Sequence, residues 1–388
     1  MMLFSTCVAL SLLATGCGRA SGNAREFFGR VEPPEDQVLR YVSGSEPESL
    51  DPQLSTGQSE ARIYLALYEG LIEYHPVTSQ PIPAIAETWD VNADGSEYIF
   101  HLRANARWTN GEPITAHDFV YSLRRGLSPE LAARSANMAY YVKYAKGYNQ
   151  KGAFVRDPQT KEFLLASAAS EKTVALAPKA SARHSSAVEA ETAFHRFISG
   201  PPRLIVSANA ATRGEAASQN PALKQLLDGK EFVPVAASDI GIEATDDYTL
   251  RITLTQPAPF FLGMMAHQFF RAVPRKVVEQ HGIHWTRTEN IVTSGPFRVQ
   301  SWKPYDELVV VKNPLYWDAA QVRLNKIRFY PLDDETAMLN LYKAGAVDAT
   351  FSHSVPTGWV DSLRPLKDYM DAPESAITFV MVNTKKIL

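Results

Sequence analysis

Few side chains in this 388-residue chain combine the type and the spacing that chemistry requires. His281 and His284 have the separation of a pair of metal ligands, but on either side of Gly282 they read as a solvated loop. Asp333, Asp334 and Glu335 form a carboxylate cluster at a place where a helix should begin, so their expected role is to complement its dipole. No Gly-x-Ser-x-Gly elbow, Gly-x-Gly-x-x-Gly turn, phosphate-cradling Gly-Lys-Ser/Thr or His-Glu-x-x-His run occurs. The cysteines are Cys7 and Cys17 alone, both in the leader, which leaves no disulfide, CxxC zinc site or catalytic thiol for the folded body. The sequence therefore predicts no catalytic constellation, no resident metal and no cofactor. A net charge of −3, with no basic or acidic block, argues against a nucleic-acid partner.

Length and a 45% hydrophobic content predict a large core and about two to three domains. The most legible elements lie between Trp89 and Leu127. Asn92-Ala93-Asp94-Gly95 supplies a turn, and Tyr98, Phe100 and Leu102 then alternate with Ile99, His101 and Arg103 as in a half-buried strand. Thr109 to Pro113 is a second turn signal. Thr115, with Asp118 three residues on, is a helix start, and Phe119, Val120, Leu123 and Leu127 recur at helical spacing, which predicts a helix over about 116–126.

Elsewhere the pattern predicts a strand over 37–43, a Pro-rich loop over 44–52 and a helix over 59–69. It also predicts a hairpin strand at Leu250, Ile252 and Leu254, an apolar helix after Phe261, strands over 308–311, 327–332 and 377–382, and a helix over 334–342. Tyr140, Tyr141, Tyr144 and Tyr148 read as an aromatic helix stripe packed on the domain body, and 166–192 as a surface helix or loop insertion.

The run Trp89, Asp94-Gly95, Tyr98, Phe100, Leu102-Arg103, Ala106, Trp108, Asn110-Gly111, Pro113, Thr115-Ala116, Asp118–Ser122 and Arg124-Arg125 resembles a signature of solute-binding protein family 5. These are the receptors of oligopeptide and dipeptide ABC importers. Gly44–Pro52, Leu67–Tyr74, Asn290–Phe297 and Asn313–Asp318 match further motifs of that family in its order. At the N-terminus an apolar run over 3–16, too short to span a bilayer, ends in Leu13-Ala14-Thr15-Gly16-Cys17, which resembles the lipobox of bacterial lipoproteins.

These resemblances imply an α/β, periplasmic binding protein-like fold of class II, cluster C type, in which a first lobe carries an inserted extra α+β domain. Residues 1–17 are then a lipoprotein signal peptide and 18–36 a tether. Residues 37–68 and 272–378 form the first lobe, 69–271 the extra domain with a variable insertion at about 130–235, and 379–388 the start of a hinge to a second lobe that is missing. The implied function is the extracytoplasmic substrate-binding component of a peptide ABC transporter, which captures oligopeptides between two lobes for delivery to the permease subunits.

The ligand is expected to pair as an added strand with the loop Ser55, Thr56, Gly57 and Gln58, and Phe351, Ser352 and Phe379 match cleft-lining positions near the hinge. Lipidation at Cys17 implies a membrane-anchored protein in the periplasm or at the cell surface. The alternatives are a non-transporting, membrane-tethered peptide-binding or chaperone-like protein, and a non-functional fragment.

Overall fold

The alternation at Tyr98, Phe100 and Leu102 becomes a strand whose three apolar side chains are buried while Glu97, Ile99 and His101 stay half-exposed. It belongs to a computed structural model that describes residues 26–30, 36–169, 192–351 and 355–370. The chain forms two compact units, one of Pro34–Asp333 and one of Met1–Pro33 with Asp334–Leu388.

The strands of the larger unit are β1 (Val38–Gly44), β2 (Ile72–Tyr74), β3 (Pro81–Pro83), β4 (Ala86–Val91), β5 (Glu97–Leu102), β6 (Gly152–Arg156), β7 (Ile205–Ser207), β8 (Glu231–Pro234), β9 (Ile242–Asp246), β10 (Thr249–Thr253), β11 (Phe297–Lys303), β12 (Glu307–Lys312) and β13 (Lys326–Pro331). Its helices are α1 (Gln58–Leu67), α2 (Ala116–Gly126), α3 (Ala145–Asn149), α4 (Ala193–Ser199), α5 (Ala210–Gln219), α6 (Pro221–Leu227), α7 (Phe261–Met264) and α8 (Arg275–His281).

One sheet has the order β1-β13-β12-β11, with β1 parallel to β13 and the other pairs antiparallel. A second, β4-β5-β10-β9, is antiparallel throughout. Sheet β7-β6-β8 and the pair β2-β3 complete the set among the described residues. The turns between these strands follow local chemistry: Gly95 and Gly111 sit at φ 76° and 89°, where a side chain would be strained, and Asn92 Oδ1 accepts the amides of Ser96 and Glu97. At the start of α2, the Asp118 carboxylate accepts Thr115 N at 2.8 Å and Thr115 Oγ1 at 3.1 Å.

The larger unit has two principal apolar cores. One gathers residues from Leu71 to Ala272, with Phe100, Trp108, Phe119, Leu123, Leu250 and Phe269 among them. The other joins Leu50–Tyr68 to Val273–Phe329. The chain thus passes between cores at Tyr68–Leu71 and again at Ala272–Val273. Smaller clusters around β6 hold Tyr144, Phe154, Ile198 and Val235, and Val155, Leu204 and Leu227.

Several expectations need correction. The four tyrosines do not share one helix: a 3-10 turn over Ala136–Tyr141 is separated from α3 by Tyr144 at φ 63°. That left-handed residue turns the Tyr144 ring into the β6 cluster, 5.0 Å from the Phe154 ring centroid, while Tyr140, Tyr141 and Tyr148 lean on the larger core. Helix α1 stops at Leu67 because Tyr68 is extended, at φ −131° and ψ 148°. The apolar helix expected after Phe261 is the single turn α7, which begins at Phe261 itself. Of the insertion at 166–192, only Ala166–Ala169 and Thr192 fall within the described residues, and the strand expected over 377–382 lies outside them.

In the smaller unit, α9 (Glu335–Ala344) starts at Asp334, whose carboxylate accepts Ala337 N at 2.6 Å, and ends at Gly345 with φ 73°. The short α10 (Val360–Leu363) follows. Asp368 accepts the amides of Phe28 and Gly29 and the Tyr342 hydroxyl, and the Phe28 ring lies 6.5 Å from Tyr342 and 6.2 Å from Trp359. Within the stretch expected to be a tether, residues 26–30 therefore pack on α9 and its neighbours.

Candidate ligand-binding wall

The loop between β1 and α1 is rich in Ser, Glu and Pro and poor in apolar side chains, so polar contacts must hold it. They do so along its whole length. Glu46 accepts Trp302 Nε1 at 2.9 Å from β11 and Tyr305 N at 3.0 Å from the β11–β12 turn. Tyr64 and Tyr68, on and just after α1, donate their hydroxyls to the carbonyls of Ser49 at 2.7 Å and Leu50 at 3.0 Å. Burial pushes both phenols well above their ordinary pKa, so they remain donors.

Asp51 is the centre of this scaffold and is 1% exposed. Its carboxylate accepts Arg125 Nη2 at 2.6 Å, Trp285 Nε1 at 3.2 Å and Gln53 N at 3.0 Å. Gln53 closes the network, accepting Arg125 Nη1 at 2.6 Å and donating to Ser122 O at 2.7 Å. Arg125 and Ser122 come from α2, and Trp285 from the chain after α8, so one buried carboxylate ties the loop to elements of both cores. A charge buried this deeply is tolerated only because every oxygen has a donor.

Beyond Asp51 the loop surfaces. Ser55 is 2% exposed; its carbonyl accepts Gln268 Nε2 at 2.7 Å and its hydroxyl accepts Gly57 N at 3.3 Å. Thr56, Gly57 and Gln58 are exposed, with Gly57 extended at φ −71° and ψ 147°. The structure thus brings the four expected residues together but in two roles, with Ser55 underneath and the next three at the surface. Phe351 is half-buried in the smaller unit, whereas Ser352, Phe379 and Cys17 lie outside the described residues. His281 is half-buried and His284 exposed, and among the described residues no group of three His, Cys, Asp or Glu side chains is placed to hold a metal ion.

The crossing at Tyr68–Leu71 is the second polar joint. Glu69, 6% exposed, accepts Tyr316 Oη and Trp317 Nε1, each at 2.5 Å, and its amide donates to Ser294 Oγ at 3.1 Å. Asn313 Nδ2 donates to Gly295 O at 2.9 Å, and Gly295 lies so close to the Leu67–Tyr68 backbone that an added Cβ would sit 2.6 Å from Leu67 C. Arg271, on the returning crossing, donates to Tyr68 O and pairs with Glu73 at 2.7 Å. Three motifs far apart in sequence, at 67–74, 290–297 and 313–318, meet here. Burial pushes the Glu69 carboxyl up to about 7, the donors Tyr316 and Trp317 opposing the rise.

Sequence reasoning did not single out Asp51, Gln53, Arg125, Trp285 or Glu69. Asp51 and Arg125 are 74 positions apart, and no local periodicity connects them. The one available signal was Asp51 itself, a carboxylate between Leu50 and Pro52.

Two polar-jointed cores, one on a mixed sheet and one on an antiparallel sheet, with a braced surface loop, make an α/β architecture of the periplasmic-binding-protein type. The chain belongs to the bacterial extracellular solute-binding proteins, family 5, the model of whose middle region matches residues 80–388. It is 28% identical over 346 residues to the periplasmic oligopeptide-binding protein OppA of Salmonella typhimurium, an alignment covering 89% of this chain and 49% of that protein. It is 30% identical over 315 residues to the "Probable deoxycholate-binding periplasmic protein YgiS" of Escherichia coli, covering 81% and 44%.

Among solved structures, an oligopeptide-binding protein (OppAIV) from Borrelia burgdorferi superposes with a TM-score of 0.62 at 28% identity, covering 86% of this chain and 50% of that one. Haemophilus influenzae OppA, solved in complex with RPPGFSPFR, gives 0.60 at 25% identity, covering 86% and 49%. The chain spans about half the length of the relatives it matches.

Glu69 generates a pH prediction. With its folded pKa near 7, above the ordinary 4.5, the folded state retains a proton that the unfolded state releases. Its contribution to stability is therefore full below about 4.5 and is lost as pH rises to about 7. Urea unfolding across that window should show the wild type losing on the order of 1.4 kcal/mol per pH unit relative to Glu69→Gln. A difference that stays flat with pH would contradict the assignment.

Proposed function

We propose that the chain is the extracytoplasmic substrate-binding component of a peptide ABC importer, which captures oligopeptides and hands them to permease subunits. The observation that carries this reading is the wall at Thr56–Gly57–Gln58: three exposed residues, one of them extended, fixed from below by Ser55, Gln268 and the Asp51 network. Such a wall presents exposed main chain to an extended peptide, and main-chain pairing accepts many side-chain sequences. The peptide-binding names of several relatives support the same reading.

On this reading the core over Leu71–Ala272 is the inserted extra domain, and the core joining Leu50–Tyr68 to Val273–Phe329 is the first lobe. No enzymatic step is needed for capture and release.

The name of one relative, a deoxycholate-binding protein, supports a second reading in which the ligand is a bile acid. Calorimetric titration separates the two: peptide capture predicts saturable heats with a mixture of short peptides and none with deoxycholate, and the opposite pattern would overturn it.

The chain is further proposed to be held at the membrane, in the periplasm or at the cell surface, by a lipid on Cys17. Among the described residues no helix is long and apolar enough to cross a membrane. Cells fed labelled palmitate should label the wild-type protein and not Cys17→Ser. Equal labelling of the two would remove the anchor from the account.

A further inference from the structure

Gly57 has no backbone need for glycine, because φ −71° and ψ 147° are open to any residue. What excludes a side chain there is Glu60. An added Cβ on Gly57 would lie 2.0 Å from Glu60 Oε2 and 2.9 Å from its Cδ.

Glu60, in the first turn of α1, is only 3% exposed, and its Oε1 accepts Glu48 N at 2.9 Å. The carboxylate therefore holds Glu48 with one oxygen, while the other occupies the space a side chain on Gly57 would need. A second tie beside it, Ser45 Oγ to Ser59 Oγ at 3.0 Å, closes the same loop, and Glu48 is fixed at its outer end by Arg134 at 3.0 Å. Glu60 is the end of a flexible side chain and could swing aside for an alanine at 57. Because it is buried and holds the Glu48 amide, doing so gives up that bond.

We propose that Glu60 is the positioning residue of the ligand-binding wall, setting where Gly57 stands and which of its faces is presented. This rests on the reading of Thr56–Gln58 as the surface that pairs with an extended peptide.

Peptide affinities measured by calorimetry in a double-mutant cycle test it. Gly57→Ala and Glu60→Ala should each raise Kd about tenfold, and the double variant should be no weaker than Glu60→Ala, because the group that the new methyl displaces is gone. Losses that multiply to about a hundredfold, or single variants that bind as well as the wild type, would overturn the proposal.

Amide hydrogen exchange gives a readout that needs no ligand. In Glu60→Ala the amides of Glu48 and Gly57 should exchange faster while those of β5 are unchanged, and unchanged loop amides would sink the proposal. If the wild type binds no peptide, the capture reading fails, and the exchange result still decides the role of Glu60.

Discussion

The carboxylate of Asp51 is the constraint on which the wall depends. The loop that carries it has too few apolar side chains to pack itself down. Its conformation comes from hydrogen-bond partners supplied by other elements: the donor Arg125 and the acceptor Ser122 O on α2, the donor Trp285 after α8, and the hydroxyls of Tyr64 and Tyr68. A buried ion pair contributes little net stability when compared with a well-packed apolar substitute, but removing one partner costs on the order of 3–5 kcal/mol. Such a network is better suited to specifying one loop geometry than to adding stability. A binding surface benefits from that, since a loop already ordered does not lose conformational entropy when the ligand arrives.

The same logic recurs at Glu69. Both chain crossings between the two cores carry a buried ionisable side chain: Glu69 on the way out, bonded by Tyr316 and Trp317 of a third segment, and Arg271 on the way back, which reaches across to Tyr68 O and Glu73 of the first crossing. The Tyr68 ring stands between the two networks, its hydroxyl on Leu50 O and its ring 6.4 Å from Trp285. The wall and the crossing are therefore mechanically continuous within the larger unit. Glu60 adds a local brace, fixing the distance between the limbs of the loop where Asp51 fixes its base.

Local signals in the sequence were accurate where the physics is local. The helix over 116–126, its Thr115–Asp118 start, the β5 alternation and the Asp334 cap needed only a few neighbouring residues to be readable. The aromatic stripe failed because a single left-handed residue, Tyr144, split it, and nothing in the spacing of four tyrosines reports that. Gly57 was picked out as part of a ligand loop, yet the reason it is glycine depends on where Glu60 points. Asp51 and Glu69 stayed invisible because their partners lie from 74 to 248 positions away. Motif resemblance located all of these segments without saying which of their side chains meet.

The most direct test of the central claim is amide exchange across Ser49–Gln58 in Asp51→Asn, with no ligand present. The substitution keeps the shape of residue 51 but turns an NH2 toward the donors of Arg125 and Trp285. The account predicts that exchange through this loop accelerates by orders of magnitude while β4, β5 and β10 keep their protection. Unchanged exchange in the loop would show that its geometry is held by something other than the Asp51 carboxylate.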